Sequence, residues 1–520
     1  MDNFQLTILL FACGLALSVV PRIVLIIANR NWFKQGFMGD SSIHWVLVKT
    51  VKGNRNFKLI PQYLIGQEPS SYPRSFHHFA AFFPIEFLKR NSWAPNLVLF
   101  GLFGGAFSVC AWHFASLANL PNLQTTILAS TLFVFSLNNL TADGPAIAYL
   151  KLSERLYARL FGGVYFASMA IGIDFENDYC LLISIVSGAI AVTASTFGRQ
   201  AIWFVTPLVS LFLLNWTPLI VMAFATFGSI FLSGQQFFRG IKYTILLWKT
   251  YSSLTKKSKV QNEVLSRFLD LRILFGQGQT FKKRIQQILF REPTRAIFRY
   301  PEIILFLVAW IYLGHTPAPA ISAVVLASVL LYALTSTRAW NHLGESYRYL
   351  EYNLLVLLPF LLTGIAMTDE RMMVFVIIKI SYSLLMSLLI GLFIRQKNLP
   401  KEDLLKDFLE DAKIGEDAVV FPVSMRLGAD ICARVNCKSF WWQPGNVTRD
   451  IFNHFIEEYP YLKKNWKPLA NEFGVTHLVV SKHELSLISW EYDFSELKKI
   501  SENDKFAAYE VTTPLLNHLK

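Results

Sequence analysis

Charge is what this 520-residue sequence has least of: Asp, Glu, Lys and Arg together make up 16% of it, against about 25% in an average soluble domain. Together with 53% hydrophobic and 15% aromatic residues, that scarcity excludes a water-soluble enzyme. Cysteine is scarce too, and the five present (Cys13, Cys110, Cys180, Cys432, Cys437) form no CxxC and no Cys/His cluster. Neither a disulfide framework nor a structural zinc site is therefore indicated. Cys432 and Cys437 could pair if their segment is extracytoplasmic. The C-terminal stretch has no GxGxxG, no P-loop and no GxSxG, so it offers neither a nucleotide site nor a nucleophile elbow.

What is present is a series of apolar runs, each of about 16 to 24 residues, between residues 5 and 394, after which they stop. The pattern predicts a polytopic α-helical membrane protein of about eleven transmembrane helices, followed by a small soluble α/β domain. The spans fall at roughly 5–28, 94–118, 123–140, 157–173, 179–196, 200–215, 217–234, 300–314, 318–336, 352–368 and 373–394. The first is too long for a signal h-region, carries Arg22 and lacks a small-residue cleavage site, so it reads as a retained helix. Residues 1–396 form the membrane part and 397–520 the soluble part. In the latter, 418–423, 439–442, 477–482 and 507–511 read as short buried strands separated by helices.

Net charge is +13, but 397–520 carries 16 Lys and Arg against 19 Asp and Glu, a balance of −3, which leaves +16 for the membrane part. Such an excess suits phosphate-bearing lipids, or it marks cytoplasmic loops. Two long interruptions stand out, because connections of that length within a bundle tend to be functional. The first, 29–93, holds two amphipathic stretches, 43–51 and 75–88, which suit interfacial helices or apolar segments buried against the bundle. The second, 235–299, carries 14 Lys and Arg against 3 acids. With eleven spans, both interruptions, the segments after residues 140 and 337, and the soluble part share one face.

Polar residues gather on that face. Asp40, in Gly39-Asp40-Ser41-Ser42-Ile43-His44, is the sole acid between Asp2 and Glu68, and shares a helical face with His44. It either caps an interfacial helix or serves as a general base. Tyr72-Pro73 fixes an extended approach to Arg74, His77 and His78, a plausible clamp for phosphate or hydroxyl groups. Glu154 and Arg155 stand between the third and fourth spans, as interfacial anchors or substrate ligands. Glu345 and Arg348, three residues apart, either pair with each other or face substrate. Arg199-Gln200, entering the sixth span, is weaker still.

A transmembrane helix followed by G-D-x-x-x-H (Gly39, Asp40, His44) and Y-P-x-x-F-H (Tyr72, Pro73, Phe76, His77) resembles the first extracytoplasmic loop of GT-C integral-membrane glycosyltransferases. Glu154-Arg155 resembles that superfamily's second-loop segment, and the long loop after the seventh span and the C-terminal domain also fit. The resemblance covers most of the chain in architecture but few residues in motif. It implies inverting transfer of a hexosyl or pentosyl group from a polyprenyl-phosphate or diphosphate sugar donor to a glycan, lipid or protein acceptor. Asp40 would be the base, at the extracytoplasmic face of a bacterial inner (plasma) membrane. His44, Tyr72, Arg74, His77, His78, Glu154, Arg155, Glu345 and Arg348 would bind substrate, with Arg74, Arg155 and Arg348 on the phosphate. No second acid adjoins Asp40, so no cofactor is assigned and a divalent metal stays open. Trp441-Trp442 is followed by Gln443 rather than Asp, which disfavours protein N-glycosylation.

Membrane lipids are the expected surroundings and nucleic acid is not an expected partner. A positive-inside count prefers the opposite orientation, because the proposed outer loops are basic, although long loops weigh less in that rule. A lipid-linked glycan ligase or polymerase would use similar parts. A transporter would place charges inside its spans, which are nearly free of acids, and a non-enzymatic scaffold is the remaining reading.

Overall fold

Residues 3–28, 40–55, 60, 62, 73–136, 152–242, 244–245, 248, 296, 299–313, 318–337, 340, 343, 346–396, 403–423, 425–440, 467–485, 494 and 497–511 are described by the computed structural model. Each apolar run contains a helix, because an unbroken backbone ladder is what keeps amide groups satisfied away from water. In chain order these are α1 (Asn3–Ala28), then α2 (Asp40–Gly53), α3 (Ser75–Ala80) and α4 (Ile85–Arg90) of the first interruption, and α5 (Ala94–Leu117). There follow α6 (Asn122–Val134), α7 (Glu154–Asp174), α8 (Asp178–Ala194), α9 (Thr196–Leu213) and α10 (Thr217–Ser233). After the second interruption come α11 (Pro301–Leu313), α12 (Pro319–Thr335), α13 (Ser346–Thr368) and α14 (Glu370–Gln396).

Fewer of these meet the length of a full crossing than the eleven expected. Among the described residues, four helices are long and apolar enough, or six if two bent pairs each count as one span. The reason is rise per residue: the 17-residue α8 and α12 reach about 26 Å, short of a core of roughly 30 Å. The second amphipathic stretch also divides, into α3 and α4. A turn and Pro84, which caps α4, interrupt the ladder there.

α1 lies directly against α5 because the contact is made by small residues. A Cβ on Gly14 would collide with Ser108 and with the carbonyl of Gly104, and one on Gly104 would collide with Ser18. Small residues let two backbones approach, which is where helix association inside a bilayer finds its packing. The core continues through α7, α12 and α13, where Tyr165, Phe166, Val324, Leu357 and Phe360 are buried.

The C-terminal part has a five-stranded sheet of order β2-β1-β3-β5-β4, from β1 (Val419–Val423), β2 (Lys438–Ser439), β3 (His477–Ser481), β4 (Lys498–Glu502) and β5 (Phe506–Glu510). β1 is parallel to β2 and β3, while β5 is antiparallel to β3 and β4. The sequence pattern marks four of these and misses β4. That edge strand, Lys-Lys-Ile-Ser-Glu, is largely exposed, so it carries no apolar alternation, and its lysines suit an unpaired edge. Helices α15 (Leu404–Asp411) and α16 (Met425–Val435) pack with the sheet, and α16 also lies against α2.

Candidate functional site

Three segments far apart in the chain meet at His44. Its Nε2 lies 2.5 Å from Oε2 of Glu154, and its Nδ1 lies 3.0 Å from Nε2 of His77. The two imidazoles stack with centroids 5.2 Å apart, and Phe76 presents its edge to both rings. His44 is 3% exposed and His77 is fully buried. These positions follow from local sequence. α2 starts at Asp40 and sets His44 one turn later, α3 buries Phe76 and His77 together, and Glu154 is the first residue of α7. The Ser153 side chain accepts the Arg155 amide and fixes that start, as an N-cap does.

A carboxylate only accepts, so the Glu154 contact calls for a proton on Nε2 of His44. On the other side of the ring, which of His44 Nδ1 and His77 Nε2 donates depends on the tautomer. Burial holds His77 well below the ordinary imidazole range, with His44, His78 and Arg74 adding to the effect and Glu154 opposing it. His77 is therefore neutral near pH 7. His78 is also pushed down, by burial first and then by Arg74 and Arg55. Arg74, just before α3, is lowered to about 10 by burial and by Arg239.

Arg155 turns away from its neighbour Glu154 and donates to Tyr347 Oη at 3.2 Å. The Arg299 guanidinium lies 5.9 Å from the Tyr347 ring centroid. Arg348 covers the Phe197 ring at 3.4 Å, a cation–π geometry. Glu154-Arg155 thus joins the first interruption on one side to the start of α13 on the other. Asp40 opens α2, but its side chain, like Tyr72, Glu345, Trp441 and Trp442, lies outside the described residues. Among the described residues, no three His, Cys, Asp or Glu side chains are grouped as a metal would need.

Tyr347, Phe197 and Arg299 belong to no motif in the sequence, and neither do two arginines within the bundle. Arg22 and Arg159 are each 1% exposed, and the Arg22 guanidinium sits 3.6 Å from the Phe100 centroid. A cation inside an apolar run is the signal that could have found them. Arg199 is buried as well, over Trp203 and Phe237. Charge also sits inside the bundle as a pair: Lys379 of α14 meets Glu302 of α11 at 2.7 Å.

No protein-family model and no curated protein matches the sequence. Among solved structures, the chain is similar to the oligosaccharyltransferase of Archaeoglobus fulgidus in its apo form, at 10% identity over 91% of this chain and 69% of that one, with a TM-score of 0.50. It is also similar to ArnT from Cupriavidus metallidurans bound to undecaprenyl phosphate, at 10% identity over 99% of each chain, with a TM-score of 0.49. At that identity the likeness shows the fold alone: the chain has the fold of the Archaeoglobus fulgidus oligosaccharyltransferase.

Proposed function

We propose that this GT-C-fold chain is a membrane glycosyltransferase, moving a hexosyl or pentosyl group from a polyprenyl-phosphate-linked donor to a lipid, glycan or protein acceptor. The active face is extracytoplasmic, in a bacterial inner membrane. The observation that carries the reading is the buried Glu154–His44–His77 chain, built from the two first-loop motifs and the second-loop acid, one turn from Asp40.

In this reading Asp40 takes the proton of the acceptor hydroxyl as its oxygen attacks the anomeric carbon. The bond from that carbon to the phosphate oxygen breaks, its electron pair leaves with the phosphate, and inversion results. Arg74, Arg155 and Arg348 are the cations for the departing charge. Glu154 and His77 hold His44 in one tautomer and one orientation beneath Asp40, so the two histidines and the glutamate act as a support rather than as three separate sugar ligands.

The test is transfer in proteoliposomes from a panel of polyprenyl-phosphate sugars. Asp40→Asn is expected to lower turnover by about 10²-fold, the usual contribution of a general base, with folding retained. Undiminished transfer removes Asp40 from the role, and absence of transfer from every donor by the parent protein removes the reading.

A further inference from the structure

We infer that Asp430 and Asn436, on the C-terminal α/β part, are positioning residues that hold α2 and the first interruption in register with the candidate site. Ser42 lies two residues from both Asp40 and His44, is fully buried, and donates from Oγ to Asp430 Oδ1 at 2.5 Å. Farther along, Lys49 Nζ and Gln62 Nε2 each donate to the same oxygen, Asn436 Oδ1, at 3.0 Å. The Gln62 carbonyl accepts the Ser439 amide at 3.0 Å. One end of α2 and the chain beyond its other end are therefore tied to two points of the C-terminal part.

Those two points are themselves braced. Arg434 Nη1 donates to the Asp430 carbonyl at 2.8 Å, and its Nε lies 2.8 and 2.9 Å from the two oxygens of Asp403, at the foot of α15. Asn436 follows α16 with φ +63°, the left-handed region that asparagine tolerates better than most residues. That conformation turns the chain out of the helix towards β2, where the Asn436 side chain meets both donors. A continuous set of bonds runs from Asp403 through Arg434 and Asp430 to Ser42, and so to the helix turn that bears His44. An apolar contact such as that of α2 with α3 fixes position loosely, whereas directional bonds at both ends fix rotation about the helix axis. Rotation decides where Asp40 and His44 point.

The inference rests on the proposed reading for the importance of α2, and the test separates the two. Full-length Ser42→Ala, Asp430→Ala and Asn436→Ala would be measured in proteoliposomes for amide hydrogen exchange and for transfer from the donor panel. Expected are faster exchange across 40–53 with β1 and β3 unchanged, kcat lowered about tenfold, and donor KM within about twofold of the parent. Ser42→Thr, which keeps the hydroxyl, should restore exchange and kcat, and Ser42→Ala/Asp430→Ala should be no worse than either single change. Parental exchange and kcat in Ser42→Ala and Asp430→Ala overturn the inference. So does exchange that rises equally throughout the C-terminal sheet, the mark of a merely structural residue. Ser42→Ala, outside that sheet, decides the matter where Asp430→Ala does not fold. If α2 loosens as expected while Asp40→Asn transfers like the parent, the clamp stands and the catalytic reading fails.

Discussion

His44 Nε2 and Glu154 Oε2 lie 2.5 Å apart, joining a helix of the first interruption to the first turn of a membrane helix. The carboxylate faces Nε2 of His44, whose Nδ1 lies 3.0 Å from Nε2 of His77. Glu154→Gln replaces an obligate acceptor by a side chain that can also donate, which frees His44 to take the other tautomer. Turnover should fall by tenfold or more, in the range of about 10²-fold typical of acid–base groups, although shape is conserved. Transfer assays across pH 5–9 check this (roughly the range in which imidazoles titrate). A variant matching the parent at every pH would show that the contact has no bearing on the reaction.

His77 provides a second, independent readout. Its folded pKa lies well below the ordinary value because of burial, assisted by His44, His78 and Arg74, while the unfolded chain titrates near 6.5. Between the two values the unfolded state binds more protons, so stability rises with pH there and declines as pH falls below about 6.5. Above that point the contribution is complete. His77→Gln should lose this part of the acid dependence, leaving a flatter unfolding midpoint between about pH 7 and pH 5. Parallel curves for parent and variant would contradict the assignment.

The apolar runs are legible because burial in lipid or in a bundle acts on each residue locally, so hydropathy marks all the helices from α1 to α14 outside the two interruptions. The G-D-x-x-x-H and Y-P-x-x-F-H segments were legible as motifs, and the structure puts His44 and His77 in contact. That Glu154 completes the set was not: it depends on how α7 sits among its neighbours, and no spacing in the sequence encodes that. The same holds for Tyr347 under Arg155 and for Phe197 under Arg348. Asp430 and Asn436 were invisible for a related reason, since single polar residues in a small α/β fold look like ordinary surface until the opposing helix is known.

The arginines make a chemical prediction. Arg155 on Tyr347 and Arg348 on Phe197 use the planar guanidinium, and lysine keeps the charge without the fork or the stacking face. Arg155→Lys, Arg348→Lys and Arg74→Lys should each raise the donor KM several-fold if these groups grip the lipid phosphate. Lysine anchors a helix at the interface equally well, so parental donor dependence in all three would identify them as anchors.

Orientation is open to a direct measurement. Ser42 bonded to Asp430, and His44 to Glu154, put the first interruption, the start of α7 and the C-terminal part on one side. Protease added outside intact cells should cleave the C-terminal part if that side is extracytoplasmic. Protection in intact cells with cleavage after disruption would place it in the cytoplasm, as the positive-inside count prefers.

The Lys379–Glu302 pair tests whether the bundle is dry where α11, α13 and α14 meet. The two side chains are 2% and 6% exposed and 2.7 Å apart, beside a cavity of about 10 Å³ lined also by Ser136, Tyr300 and Pro359. A buried ion pair can be close to neutral overall, since desolvation offsets attraction, yet removing one partner strands a charge at a cost of about 3–5 kcal/mol. Glu302→Gln and Lys379→Met should each lower the thermal unfolding midpoint in detergent markedly. Combining Lys379→Met with Glu302→Gln should recover most of the loss, because no charge is then left behind. The competing picture has water reaching the pair through the cavity, which is about large enough for one molecule. Screening would then make each single variant mild and the double variant simply additive. Comparing the double with the sum of the singles decides between them, and additivity would mean that α11 and α14 enclose water rather than exclude it.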